Sequence, residues 1–187
     1  KTALALNADY SMVSVSGYGI ISGFTNDGNK IPEQTIPQYY DKLGFSYNKF
    51  ADSITVSETE WDFERYKPDI IVINLGTNDM NYATTDERKA EFEDGYLDFL
   101  KKVRSLNPDS YIFQTYGVMG TSLEENIENV RRKYMSETGD ERITFIPLTM
   151  QDEDADGIVA DWHPSPRTHS LVSQKVTAAI KKTLGYK

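Results

Sequence analysis

Apolar residues in this chain fall into two kinds of run. Short, nearly continuous blocks rich in Val, Ile and aromatic residues occur at 11–16 (SMVSVS), 69–75 (DIIVINL), 110–117 (SYIFQTYG) and 143–148 (ITFIPL). Each has the length and composition of a buried strand. Elsewhere apolar residues recur every three or four positions. Residues 85–106 carry Phe92, Tyr96, Phe99, Leu100 and Val103 at that spacing, with Thr84 or Thr85 as N-cap. Residues 122–138 and 166–184 predict two more helices, the last presenting Leu171, Val172, Val176, Ala179, Ile180 and Leu184. The opening KTALALNADYS reads as the end of an amphipathic helix. The long stretch 17–68, with Gly, Asn, Pro and Tyr throughout, exceeds a bare connection and is expected to hold short helices and loops.

Strands alternating with helices predict right-handed crossovers and an α/β fold, a mostly parallel sheet covered on both faces. The fully apolar run Ile70–Ile73 suits a central strand. In such sheets ligands lie beyond the carboxyl ends of the strands. The polar turn Gly76-Thr77-Asn78-Asp79, which ends that run abruptly, is therefore expected on the functional edge.

Composition narrows the partners. At 187 residues the chain fits one domain, 1–187, and its 39% hydrophobic and 26% charged residues are those of a globular protein. A formal charge of -9 argues against nucleic acid and against anionic membranes. The absence of cysteine excludes disulfides, thiol catalysis and Cys-ligated zinc. Among the aromatics, Tyr39, Tyr40, Tyr47, Trp61, Tyr82 and Trp162 fall in loop-like stretches, where they serve either as packing or as a sugar-binding surface.

Three motifs carry candidate chemistry. In SVSGYGI, Gly17 follows a predicted strand and can bring its N–H close to a ligand; it is also what an ordinary turn requires. In NLGTNDM, Asn78 offers an uncharged NH2 donor suited to a developing oxyanion. Asp79 is read as orienting neighbouring backbone or capping the turn, and an Asx-turn alone would explain both residues. In DWHPSP, His163 is a candidate general base, with Asp161 two residues earlier able to accept from Nδ1. Pro164 and Pro166 stiffen that turn ahead of the last helix.

Together SG…GTND…DWHP resembles blocks two, three and five of the SGNH (GDSL-type) hydrolases. More closely, LNADYSMVSVSGYGI, KPDIIVINLGTNDM and DWHPS resemble the carbohydrate esterase family 2 acetylesterases, nearly end to end from Leu6 to the final helix. The resemblance implies a three-layer α/β/α, flavodoxin-like fold and no metal or other cofactor. It implies Gly17 N–H and Asn78 as oxyanion donors, His163 as general base and then acid, and Asp161 as its orienting partner. Some members use a backbone carbonyl in place of that acid. Trp162 becomes a candidate sugar platform. The implied activity is removal of acetyl groups from xylan or mannan by a secreted enzyme. The family's nucleophile lies in a Gly-Asp-Ser motif at the end of the first strand. It is expected upstream of Lys1, which makes this chain the C-terminal catalytic part of a longer protein.

Other features are expected to be incidental. Ser53 in ADSIT imitates the nucleophile motif but lacks a preceding apolar strand. DEDADG, 152–157, starts like a calcium loop, yet His163 occupies the twelfth position where a Glu should be. His169 is expected on the surface of the last helix. Two rival functions remain: a carbohydrate-binding module that keeps the cleft without catalysis, and a lipase or thioesterase, against which the polar 24–50 loop speaks.

Overall fold

The computed structural model of the chain describes residues 1–45, 49–50 and 54–186. Three strands, β3 (Ile70–Asn74), β4 (Tyr111–Tyr116) and β5 (Ile143–Pro147), pair in parallel in that order. Ile70 lies opposite Tyr111, and Ile112 opposite Ile143. Ahead of them come the one-turn helix α1 (Thr2–Ala5) and a small antiparallel hairpin, β1 (Lys49–Phe50) with β2 (Ile54–Thr55). The crossovers are α2 (Asp86–Leu106) and α3 (Glu124–Thr138); a short α4 (Glu153–Asp156) and the last helix, α5 (Pro166–Leu184), follow β5.

Alternation along β4 divides the core. Ile112 and Tyr116 face α2 and α3, where Phe92, Tyr96, Leu100, Val103, Ile127 and Val130 are fully buried. Phe113 faces the other way, against Ile146, Leu148, Val176 and Ile180 beneath α5. Each such side chain withdrawn from water contributes about 1.5–3 kcal/mol. The layers are therefore helix, parallel sheet, helix, as the alternation of strands and helices predicts.

Helix boundaries follow local chemistry. Thr85 caps α2 by accepting from the Arg88 N–H at 3.4 Å, with Asp86 and Glu87 in the positively polarised first turn. Ser165 caps α5, its Oγ accepting from Arg167 N and Thr168 N at 3.2 Å each, and Pro166 takes the first helical position. One assignment on α5 fails: Leu171 is 48% exposed, because it lies off the stripe formed by Val172, Val176, Ala179 and Ile180.

Two strand expectations are also corrected. β4, not β3, is the central strand among the described residues, and Val72 of β3 is 45% exposed. The cluster beneath α5 takes in Ile70 but stops short of Val72, so that face of β3 is covered at Ile70 and open at Val72. Residues 11–16 are not a strand. Met12 and Val13 are exposed, and no ladder hydrogen bond engages this segment among the described residues. β-propensity without a neighbouring strand does not make a sheet.

At the end of the sheet away from the carboxyl edge, Arg104 ties three elements together. Its Nη1 donates to the carbonyls of Asn107, Pro108 and Ser110, its Nη2 to that of Arg142, and its Nε pairs with Asp140 at 2.6 Å. Removing Arg104 takes one cation from a largely buried carboxylate, which keeps Tyr134 and Arg142 as partners, and breaks the hydrogen bonds that tie the three elements. Arg104→Ala is expected to lower unfolding free energy by about 2 kcal/mol, read as a lower urea midpoint.

A candidate active site at the carboxyl edge of the sheet

Because the three strands are parallel, the segments after Asn74, Tyr116 and Pro147 emerge along one edge. The first turns at Gly76, at φ +117, where a side chain would press on Tyr116 and Phe92 at 3.2 and 3.3 Å. The chain turns there, and Asp79 N–H donates to the Gly76 carbonyl at 3.1 Å.

This turn holds the distant 17–22 loop. Asn78 Nδ2 donates to the Tyr18 carbonyl at 2.8 Å. The buried Asp79 carboxylate accepts from the N–H groups of Ile20, Ile21 and Ser22. Of the two roles open to Asp79 in the sequence, orienting backbone is the one observed, though the backbone is nearly sixty residues away. Gly17 sits at φ +79, a left-handed conformation that favours glycine although no atom would obstruct a Cβ. Its N–H has no acceptor among the described residues, and the residue is half-buried.

The carboxamide geometry matters chemically. An Asn NH2 has two hydrogens, and the bond to Tyr18 fixes the amide plane with one of them. The second remains available to a negative oxygen.

His163 comes from a tight loop between α4 and α5. Asp152 caps α4, with Oδ1 accepting from Ala155 N at 2.9 Å, so the acidic run 152–157 folds largely as a helical turn. Beyond it Val159 N–H bonds the His163 carbonyl at 2.9 Å, and Ile158 bridges Pro164. Asp161 and Trp162 both take φ +55 at the tip of this loop. Aspartate tolerates that conformation, but for tryptophan it is a strained one, of the kind found at functional sites. Gln151 Nε2 helps hold the strained turn by donating to the Trp162 carbonyl at 2.8 Å.

The left-handed turn folds His163 back over Ala160. Its Nδ1 lies 3.1 Å from the Ala160 carbonyl, which also accepts the His163 N–H at 3.2 Å. A carbonyl can only accept, so Nδ1 carries the proton and Nε2 is left as the base. Asp161, expected from its spacing to accept at Nδ1, is instead exposed and makes no ion pair with His163. The turn directs its side chain to solvent and brings a main-chain oxygen to the ring. Trp162 is 66% exposed beside it.

Three contacts connect the loops of this edge. Gln151 N–H bonds the Val118 carbonyl at 2.9 Å and Leu148 N–H the Tyr116 carbonyl at 2.7 Å. A Cβ on Gly120 would overlap the Met80 sulfur, so the segment after β4 lies directly on the turn after β3. Gly17 and Asn78 are thus joined through Tyr18, and the His163 loop reaches them through Gln151, Val118–Gly120 and Met80.

The remaining candidates lie elsewhere. His169 is exposed in the first turn of α5. Tyr39 and Tyr82 are buried, and the Tyr40 hydroxyl accepts from Asn107 at 2.9 Å, so these three serve packing. Ser53 and Tyr47 lie outside the described residues. Among the described residues no three His, Asp or Glu side chains are grouped to hold a metal ion. The Ala160 carbonyl and Gly19, whose Cβ would overlap the Asp79 carboxylate, were missed in the sequence. Only the Gly-x-Gly of SGYGI hinted at the second.

The profile of the GDSL-like lipase/acylhydrolase family matches residues 15–171. The cellulase/esterase CelE of Acetivibrio thermocellus is 32% identical over 99% of this chain, which spans 21% of that protein. An acetyl xylan esterase (Est2A) from the rumen bacterium Butyrivibrio proteoclasticus superposes with a TM-score of 0.88 at 25% identity, over all of this chain and 55% of its own. A family two carbohydrate esterase from Clostridium thermocellum, solved in complex with cellohexaose, superposes at 0.82 with 32% identity, over all of this chain and 53% of its own.

Proposed function

Since the chain belongs to the GDSL-like lipase/acylhydrolase family, we propose that it carries the acid–base and oxyanion groups of a serine esterase that deacetylates plant cell-wall polysaccharide, xylan or mannan. The nucleophilic serine of this proposal belongs to residues preceding Lys1. The observation that carries this reading is the Asn78 amide, pinned by Tyr18 with one N–H to spare, on the edge that also bears His163.

His163 Nε2 takes the serine proton as the oxygen attacks the acetyl carbonyl carbon. The carbonyl oxygen becomes an oxyanion held by Gly17 N–H and Asn78 Nδ2–H. The imidazolium then passes its proton to the departing sugar oxygen, leaving an acetyl-enzyme. Water, deprotonated by the same nitrogen, releases acetate and restores the serine. Acetate release from acetylated xylan by the intact protein tests this; a protein inert towards both acetylxylan and p-nitrophenyl acetate would refute it.

The Ala160 carbonyl does the work expected of Asp161. In a Ser-His-Asp triad, losing the carboxylate costs about 10⁴-fold in kcat. Asp161→Asn, which tolerates the left-handed backbone, is expected to cost less than about tenfold here. A triad-sized loss in p-nitrophenyl acetate kinetics would return Asp161 to the mechanism.

One observation favours binding as a second activity of the same edge. The Trp162 ring is an exposed flat apolar face beside His163, the kind of surface on which a sugar ring stacks. A binding-only protein would retain polysaccharide in affinity electrophoresis yet leave p-nitrophenyl acetate intact. Polymeric wall glycans do not enter cells, so the protein is assigned to the extracellular space, which immunoblotting of culture supernatant checks.

A further inference from the structure

Asp79 is a carboxylate wholly removed from solvent, and no cation pairs with it among the described residues. Its partners are three successive main-chain N–H groups. Ile20 N reaches both oxygens at 3.0 and 2.9 Å, Ile21 N reaches Oδ1 at 2.8 Å and Ser22 N at 3.1 Å. Burial pushes the carboxyl group above its ordinary range, and these N–H bonds oppose that shift.

The approach is possible only because residue 19 is glycine. A Cβ there would overlap Asp79 Oδ2 and the Ser22 carbonyl. From the other side, Gly19 N–H bonds the Gln34 carbonyl at 3.2 Å and Ile36 N–H the Gly19 carbonyl at 2.9 Å. Residues 19–22 are therefore held between the 34–36 segment and the Asp79 carboxylate.

The two oxyanion donors flank this junction. Gly17 lies two residues before Gly19, and Asn78 immediately precedes Asp79. We propose that Asp79 and Gly19 form a positioning clasp that sets the spacing between Gly17 N–H and Asn78 Nδ2, and so assembles the oxyanion hole from segments about sixty residues apart. This rests on the esterase reading for its catalytic consequence, but not for the clasp itself. A carboxylate fits because both of its oxygens only accept: Oδ1 takes all three donors and Oδ2 shares that of Ile20. An amide at residue 79 would replace Oδ2 with a donor facing the Ile20 N–H.

The test uses the intact protein with p-nitrophenyl acetate. Asp79→Asn and Gly19→Ala are each expected to lower kcat about tenfold to a hundredfold, with KM within about threefold of wild type and near-UV circular dichroism unchanged. The Asn78→Ala/Asp79→Asn double variant is expected within about threefold of the worse single variant, because both lose the same aligned donor. A purely structural Asp79 would instead give multiplied losses, and a kcat within about threefold of wild type for Asp79→Asn would also overturn the clasp.

Amide hydrogen exchange supplies the readout that does not depend on activity. Ile20, Ile21 and Ser22 lie outside any strand, so their protection comes through Asp79. They are expected to exchange about as slowly as β4 amides in wild type, and at least about tenfold faster in Asp79→Asn. Fast exchange in wild type overturns the clasp even if neither variant folds. Wild type and His163→Ala equally inert, with slow exchange at residues 20–22, would sink the esterase reading and leave the clasp standing.

Discussion

His163→Ala lowers kcat for p-nitrophenyl acetate by about 10⁴-fold in the intact protein, with circular dichroism and urea midpoint close to wild type. The size follows from two duties of one nitrogen. Nε2 removes the serine proton in acylation and returns a proton to the leaving oxygen, and it repeats the cycle with water. No second imidazole can substitute, because His169 stands exposed on α5, a turn beyond the capped start of that helix. The stability expectation comes from exposure: the ring is solvent-facing, and its partner Ala160 O keeps the His163 main-chain N–H as donor. A loss below about tenfold would remove His163 from proton transfer.

Asn78→Ala lowers kcat by about 10²–10³-fold, equivalent to about 3 kcal/mol of transition-state stabilisation, while KM changes little. The ground-state carbonyl oxygen is only weakly basic; the donor matters when the oxygen becomes an anion. The amide enters that step already oriented by its bond to Tyr18, so no reorganisation accompanies the reaction. Asn78→Asp is the sharper companion variant. It keeps the shape but presents lone pairs, and at neutral pH a negative charge, to both the Tyr18 carbonyl and the oxyanion. Its kcat is expected to fall below that of Asn78→Ala. Equal rates for wild type and Asn78→Ala would remove the oxyanion role.

Features set by neighbours in sequence were the legible ones. The Thr85 cap and the Phe92–Val103 spacing locate α2, and Ser165-Pro166 locates the start of α5, because caps and apolar stripes are local. Strand order was not legible. Ile70–Ile73 is the most apolar run, yet β4 is central among the described residues, since a strand's place depends on partners far away in the chain. Residues 11–16 have the composition of a strand and no strand neighbour among the described residues.

The candidate site divides similarly. Gly17, Asn78 and His163 could be read because their side chains, or the lack of one, announce the chemistry. The acceptor at His163 Nδ1 is a main-chain carbonyl, which has no residue type to betray it, whereas Asp161 was a visible carboxylate at a plausible spacing. Asp79 was noticed as a turn residue, but its bonds to Ile20–Ser22 exist only once β3 has brought the two segments together.

The most direct measurement is a crystal structure of the intact protein treated with a phosphonate ester, which mimics the tetrahedral adduct of acetyl transfer. Phosphorus is expected to be bonded to a serine that precedes Lys1, with one phosphonyl oxygen about 3 Å from both Gly17 N and Asn78 Nδ2, and His163 Nε2 within hydrogen-bonding reach of the serine oxygen. An adduct whose oxygen meets neither donor would overturn the oxyanion hole, and a His163 ring too distant to bond the serine would overturn the base.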